Sequence, residues 1–211
     1  MPRRPRVLVE GALYHVYCRF RSGLQIFSEP EAAERFLGLL RDVRRRDGFA
    51  VLAWCLMPTH YHLAVRMGDV TLSRSFRRLQ GTFAQWWNRR RHSLGPLWQS
   101  RFKARLVTDD AYFSRVVAYI HRNPVAAGLV KDPMRYGLCG HRELLADDPD
   151  PVADTAAALA LFGETKPRAR GRYAALIAGL GGETWTTAEP GALPWWQRTR
   201  GRRTEGEAAP A

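Results

Sequence analysis

Two histidines, His60 and His62, lie one residue apart in a segment that alternates like a β-strand. Side chains alternate across a strand, so both imidazoles point to one side, while Tyr61, Leu63 and Val65 point to the core. Two imidazoles at this spacing can bind one divalent cation. By itself such a pair is more often incidental than a ligand pair, so a second observation has to support it.

A tyrosine and an asparagine, Tyr119 and Asn123, supply that second observation. They are four residues apart in a helical pattern, so they lie on one face of the helix. A tyrosine hydroxyl can act as a nucleophile. The amide oxygen of Asn123 can be a third ligand beside His60 and His62, which leaves open positions for a phosphate oxygen and water. The plainer alternative is a half-buried core tyrosine followed by an asparagine that caps the helix.

Alternation, helical periodicity and turn residues indicate the elements that position these side chains. We predict strands at about 12–20, 49–57, 60–67 and 103–108, and helices between about 28 and 48, at about 72–92 and at about 110–122. The first strand should bury one face, a capping box at 28–31 should begin the first helix, and Pro124 should end the last one near Asn123. This order of elements indicates an antiparallel sheet covered by helices, in the α+β class.

Positive charge is concentrated in the first two thirds of the chain. Residues 1–145 contain 25 Lys+Arg and 11 Asp+Glu, hence +14, whereas residues 146–211 contain 8 and 9, hence −1; together they give the total of +13. Such asymmetry points to a nucleic-acid partner. Only three of the 33 basic residues are lysines; arginine suits bidentate phosphate contact, but this bias could equally reflect a GC-rich genome.

The composition changes after residue 145. Segment 146–154 is acidic and contains two prolines, so we predict a linker between a domain at 1–145 and a tail at 146–211. The tail has candidate helices at 155–162 and 171–179, and its end at 206–211 should be disordered.

Cysteine usage and hydropathy indicate the cellular compartment of the protein. The three cysteines are far apart and form no Cys-x-x-Cys pair, which indicates reduced thiols. The chain has no apolar run of 18 residues and no apolar segment near its start. We therefore expect a cytoplasmic, nucleoid-associated protein with no membrane partner.

Three blocks, in order, resemble the single-tyrosine transposases of the HUH superfamily. Segment 55–63 (Cys-Leu-Met-Pro-Thr-His-Tyr-His-Leu) resembles their histidine-hydrophobe-histidine block, and 119–130 (Tyr-Ile-His-Arg-Asn-Pro-Val-Ala-Ala-Gly-Leu-Val) resembles their catalytic-helix block. Segment 97–103 (Leu-Trp-Gln-Ser-Arg-Phe-Lys) matches a third block between them. The resemblance covers about 7–145 and is strongest to the branch associated with repetitive extragenic palindromes (REP). It implies the ferredoxin-like, RRM-like core of the HUH endonucleases.

The resemblance also implies roles for individual residues. His60 and His62 match the metal pair, Tyr119 the nucleophile, and Asn123 the third ligand of an Mg²⁺ or Mn²⁺ ion. The implied reaction cuts single-stranded or hairpin DNA, leaves a 5′-phosphotyrosine and a free 3′-OH, and transfers the strand. Two positions near the histidines depart from the family pattern. Tyr61 replaces an aliphatic residue and should affect packing only, and Thr59 replaces an asparagine and should stabilise the turn.

Several residues are candidates for supporting roles. Arg115, one turn before Tyr119, could stabilise the phenolate. His15 and His121 are candidate bases, although for both we favour a structural role. The candidate DNA-binding residues are Arg74, Arg77, Arg78, Arg89, Arg90, Arg91, Arg101, Lys103 and Arg105.

The tryptophans divide between DNA and core. We expect Trp87 to accompany the arginines at the DNA and Trp86 to be part of the core, and we leave Trp98 open.

Two other functions remain open from the sequence. One is a non-catalytic DNA-binding regulator derived from a transposase, and the other is a phosphodiesterase that uses a metal-bound water. The sequence is compatible with either a monomer or a homodimer.

Overall fold

The predicted strands and helices occur in the predicted order in the computed structural model, which describes residues 8–179. The strands are β1 (Leu13–Arg19), β2 (Ala50–Met57), β3 (His60–Arg66) and β4 (Lys103–Val107). The helices are α1 (Pro30–Asp47), α2 (Leu72–Arg90), α3 (Asp110–Ala126), α4 (His141–Leu145), α5 (Thr155–Ala160) and α6 (Lys166–Ala178). Within 8–179, no helix combines the length and apolar character needed to cross a membrane.

The four strands pair antiparallel in the order β2-β3-β1-β4, which confirms the predicted fold class. β1 lies between β3 and β4. On one face of the sheet, Tyr17 of β1 lies opposite His62 of β3 and Lys103 of β4. On the same face, His15 lies opposite Arg105 of β4. The register therefore brings one histidine of the predicted pair beside polar residues from two other strands.

Helices α1 and α2 cover one face of the sheet. As predicted, Tyr61 points into this core; its side chain is fully buried, and its hydroxyl accepts a hydrogen bond from Gln80 Nε2 at 3.0 Å. Trp98 belongs to the same core, because its ring stacks on Phe20 at 4.6 Å between centroids and its Nε1 donates to the Gln80 carbonyl at 3.0 Å. The segment around Trp98 thus fastens the loop before β4 to α2.

Both neighbouring tryptophans of α2 pack against the core, Trp87 more deeply than Trp86. Trp87, expected at the DNA, is only 8 % exposed and lies in the core, whereas Trp86 is half-buried at its edge. Phe83 lies three residues before Trp86 and four before Trp87, and both spacings continue one helical stripe. The placement of Trp87 was therefore wrong.

The other face of the sheet is covered by α3 and by the helices that follow it. The expectation that β1 buries only one face was wrong, because His15 and Tyr17 are buried beneath this second layer as well. Polar side chains on one side of a strand usually face water; here they face a helix.

The predicted linker at 146–154 is exposed over 146–150, but its end enters the core. Val152 and Ala153 are each 1 % exposed and are part of the core behind α1. The backbone amide of Asp154 donates to the Val51 carbonyl of β2 at 2.6 Å, and Arg44 Nη1 of α1 donates to the Val152 carbonyl at 2.8 Å. The candidate tail helices correspond to α5 and α6, and segment 206–211 lies outside the described residues.

The predicted cap of α1 and the predicted end of α3 were wrong. Glu29 precedes α1 without a side-chain cap, so there is no capping box. α3 continues through Pro124 to Ala126. A proline in the last turn removes only one amide donor, and the chain turns away four residues later, at Gly128, whose φ of +71° suits a residue without Cβ.

Candidate catalytic site and family

His60 and His62 lie side by side on β3, just after the hairpin turn. Their ring centroids are 4.9 Å apart, and His62 is 1 % exposed. Burial, with a smaller contribution from the Arg19 charge, lowers the pKa of His60 to about 3. Burial, with His60 as the next cause, holds the pKa of His62 well below its usual value. Both imidazoles are therefore neutral at pH 7, the form that binds a metal ion.

The Tyr119 ring packs against this pair. It meets His62 edge-on at 5.2 Å and His15 at 5.7 Å between ring centroids. Tyr119 is half-buried on α3, which packs on β2 and β3. Asn123 follows one turn later on the same helix and is also half-buried. The fold thus brings a tyrosine from a distant helix to a histidine pair on the sheet.

Each histidine of the pair has a hydrogen-bond partner on Nδ1. His62 Nδ1 lies 3.0 Å from Nε2 of the buried His15, and His60 Nδ1 lies 2.9 Å from Thr59 Oγ1. Thr59 was expected to stabilise the turn; its hydroxyl reaches the neighbouring imidazole. In both rings, Nε2 is therefore the nitrogen that remains for a ligand.

The site fits a cation bound by few protein ligands. Within 8–179, no group of three or more His, Cys, Asp or Glu residues gathers as a metal cluster. His62 Nε2 is buried and has no hydrogen-bond partner among the described residues. An imidazole lone pair without a partner in a buried site suits a metal ion. Two imidazoles with an amide oxygen would leave positions for phosphate and water.

Sequence reasoning overlooked Tyr17 as part of this site. Its ring lies 5.7 Å from that of His62, and Lys103 Nζ lies 5.8 Å above its centroid. Burial raises the pKa of Tyr17; the Arg105 charge opposes this shift, and the phenols Tyr119 and Tyr112 add to it, so the hydroxyl stays protonated. Its position two residues after His15 in the alternating strand is the sequence signal that could have identified it.

Two of the candidate supporting residues have their contacts elsewhere. The Arg115 guanidinium lies over the Tyr112 ring at 5.5 Å, toward the start of α3. His121 is buried on α3, and its Nδ1 lies 2.7 Å from the Tyr173 hydroxyl of α6. His15 does meet His62 and Tyr119, but burial lowers its pKa to about 3, which makes it a poor proton acceptor.

The predicted DNA-binding residues separate into two surfaces. Lys103 and Arg105 are exposed on the edge strand β4 and lie opposite Tyr17 and His15, beside the site; Arg101 is exposed just before them. Those of α2 lie on the other side of the sheet: Arg74, Arg77, Arg78, Arg89, Arg90 and Arg91.

Three of the α2 arginines form ion pairs. Arg78 binds the buried Asp47, Arg90 binds Glu31, and Arg91 binds Glu29 while it lies over the Trp87 ring. The Arg78 pair compensates a buried carboxylate, because a charge taken out of water needs a partner. Arg78 therefore has a structural role that its helical position did not indicate.

The family model described as "Transposase IS200 like" matches residues 8–123. The chain belongs to the IS200-like transposase family. This confirms the family predicted from the three sequence blocks. The match includes His60, His62, Tyr119 and Asn123 and ends within α3. No curated protein sequence matches the chain.

The fold of this IS200-like transposase is shared with a REP-associated tyrosine transposase whose structure was solved bound to a REP hairpin. The two are 22 % identical, with a TM-score of 0.61 over 72 % of this chain and 90 % of the other. A candidate transposase from Deinococcus radiodurans R1 aligns at 18 % identity with a TM-score of 0.40, over 61 % of this chain and 95 % of the other.

Proposed function

We propose that this protein cleaves single-stranded DNA with Tyr119 and transfers the strand through a covalent phosphotyrosine. One observation carries the proposal: the Tyr119 ring lies 5.2 Å from that of His62, in a site where the two histidines of β3 are neutral and adjacent. The proposed nucleophile and the proposed ligand pair, from distant parts of the chain, are neighbours there. Membership in the IS200-like transposase family supports the same reaction.

In the proposed reaction, Tyr119 Oη forms a bond to phosphorus and the bond from phosphorus to the 3′ oxygen breaks in line. The proton of the phenol leaves, and the departing 3′ oxygen takes up a proton. A 3′-OH on a second strand reverses the step and releases Tyr119, so the energy of the phosphodiester is kept.

His60, His62 and Asn123 would hold an Mg²⁺ or Mn²⁺ ion. When bound, such an ion polarises a phosphate oxygen and stabilises the charge that develops on the phosphoryl group. Imidazole ligands suit manganese better than magnesium, whereas Mg²⁺ is the more abundant ion in cells. Tyr17 and His15 lie beside the ligand pair and are themselves buried.

The proposed DNA is held by the basic edge of the sheet. Lys103 and Arg105 are exposed on β4 next to the site and can contact phosphates on either side of the scissile bond. The structural relative bound to a REP hairpin supports a hairpin next to the cleaved strand. The REP-associated branch, the cytoplasmic, nucleoid-associated location and the choice between monomer and homodimer stay predictions.

The test is a covalent-capture assay. A hairpin oligonucleotide labelled at its 3′ end, on the fragment that stays bonded to Tyr119, is incubated with the full chain and Mn²⁺, and the products are separated on a denaturing protein gel. We expect a labelled protein band that Tyr119→Phe abolishes. Tyr112→Phe, a change of the same size two turns earlier on α3, should keep the band.

The other two functions give different results in the same assay. Cleavage without a protein-linked label, still present in Tyr119→Phe, would indicate a phosphodiesterase that uses metal-bound water. A shifted band on a native gel with no cleavage would indicate a DNA-binding regulator. Either result would contradict the phosphotyrosine mechanism.

A further inference from the structure

A histidine outside the proposed ligand set contacts one inside it. His15 Nε2 of β1 and His62 Nδ1 of β3 are 3.0 Å apart, and both rings are buried. A hydrogen bond between two neutral imidazoles contains one proton, which either ring can supply. The two assignments leave different groups at Nε2 of His62, the nitrogen on the far side of that ring.

The surroundings of His62 favour one assignment. If His15 were the donor, His62 would accept at Nδ1 and would have its own proton on Nε2. That nitrogen is buried and has no hydrogen-bond partner in the described part of the chain, and an N–H donor left unpaired away from water is costly. If His62 is the donor, its Nε2 presents a lone pair, which a cation can satisfy.

We propose that His15 is a positioning residue: by accepting a hydrogen bond from His62 Nδ1, it fixes the tautomer in which His62 Nε2 points a lone pair at the metal site. The inference rests on the proposed function, since it assigns His15 to the ligand pair of that site. It replaces the role of proton acceptor for Tyr119, because the Nε2 atom of His15 is already engaged with His62.

The second ligand is oriented differently. His60 Nδ1 meets the Thr59 hydroxyl at 2.9 Å, and a hydroxyl can either donate or accept. Thr59 therefore fixes the ring of His60 without selecting its tautomer. In the contact between His15 and His62, the position of the proton decides whether Nε2 of His62 can bind a metal ion.

The first experiment measures the tautomer directly in the full-length, metal-free protein. Long-range ¹H–¹⁵N correlation spectra of the imidazole rings distinguish a proton on Nδ1 from one on Nε2. We expect the Nδ1–H form for His62 in the wild type. A His62 ring protonated on Nε2 overturns the inference, and this measurement requires no variant to fold.

The second experiment measures Mn²⁺ affinity by electron paramagnetic resonance, with no DNA present. His15→Leu removes the acceptor and should weaken Mn²⁺ binding about 10- to 100-fold. His15→Gln places an amide oxygen near the position of Nε2 and should restore most of that affinity. His141→Gln is the matched control: His141 is also buried, but it lies on α4 against Tyr173, and its replacement should leave Mn²⁺ affinity within about twofold of the wild type.

The results separate this inference from the proposed function. A wild-type protein that binds no Mn²⁺ argues against the proposed metal site itself. A wild type that binds Mn²⁺ together with a His15→Leu variant of equal affinity overturns the role of His15 alone. Equal losses in His15→Leu and His141→Gln would show a general effect of lost stability and would also overturn it.

Discussion

Replacing Tyr173 by phenylalanine removes one hydroxyl from the second layer and keeps the ring. Tyr173 is fully buried on α6. Its hydroxyl lies 2.7 Å from Nδ1 of His121 and is also hydrogen-bonded to Nδ1 of His141. A hydroxyl can donate to one imidazole and accept from the other, so both rings have a partner. In Tyr173→Phe, both Nδ1 atoms lose this hydrogen-bond partner while they remain buried.

The expected loss follows from the number of groups left unpaired. A buried polar group without a hydrogen bond costs about 1–3 kcal/mol. Two such groups predict that Tyr173→Phe lowers the free energy of unfolding by about 2–6 kcal/mol. With an m-value of about 2 kcal/mol per molar urea, the midpoint falls by about 1–3 M.

Urea titration at pH 7.5, followed by circular dichroism, measures this change. Tyr112→Phe is the matched control, because Tyr112 is half-buried on α3 and its ring contacts Arg115; its loss should stay below about 0.5 kcal/mol. A midpoint that shifts by less than about 0.3 M in Tyr173→Phe, at an unchanged m-value, would refute the reasoning. The two imidazoles would then have other partners, or α6 would contribute little to the fold.

Two further predictions concern protons and salt. Burial lowers the pKa of four histidines, His15, His60, His121 and His141, to about 3 or 4. Burial also holds the pKa of His62 well below its usual value. Below pH 6.5 the unfolded chain therefore binds more protons than the folded one, so the free energy of unfolding decreases as the pH is lowered. The decrease is up to about 1.4 kcal/mol per pH unit for each histidine. A urea midpoint equal at pH 7 and pH 5 would contradict this. Arg105→Gln should weaken hairpin binding and reduce the salt slope by about 0.7 for one lost phosphate contact. Arg89→Gln, which removes the same charge from the opposite layer, should change binding less, and the reverse order would place the hairpin on α2.

Local patterns were sufficient to predict the elements. The alternation of 60–67 and the apolar stripe of α2 each reflect one nearby surface, and both elements formed within two residues of the predicted bounds. The meeting of His62 with Tyr119 is different, because 57 residues separate them and no periodicity reports contacts at that distance. Only the order of the three family blocks indicated it in advance.

The sequence failed mainly to predict which residues in polar segments are buried. His15 and Tyr17 alternate with apolar residues and were assigned to a free face, but α3 lies over that face and buries them. The acidic residues around Val152 and Ala153 concealed two core positions in the same way. In both places the deciding contact comes from an element distant in sequence, so the local pattern gave the right element and the wrong environment.

The position of the proposed nucleophile depends on residues beyond the matched family region, which ends at 123. Two residues within one turn after Tyr119 on α3 contact α6. His121 contacts Tyr173, and Arg122 Nη1 donates to the Ile177 carbonyl at 3.2 Å. Tyr119 meets His62 on the opposite side. Rotating α3 to turn Tyr119 away from the sheet would break contacts on both sides, so α6 helps to fix the distance between the phenol and the histidine pair.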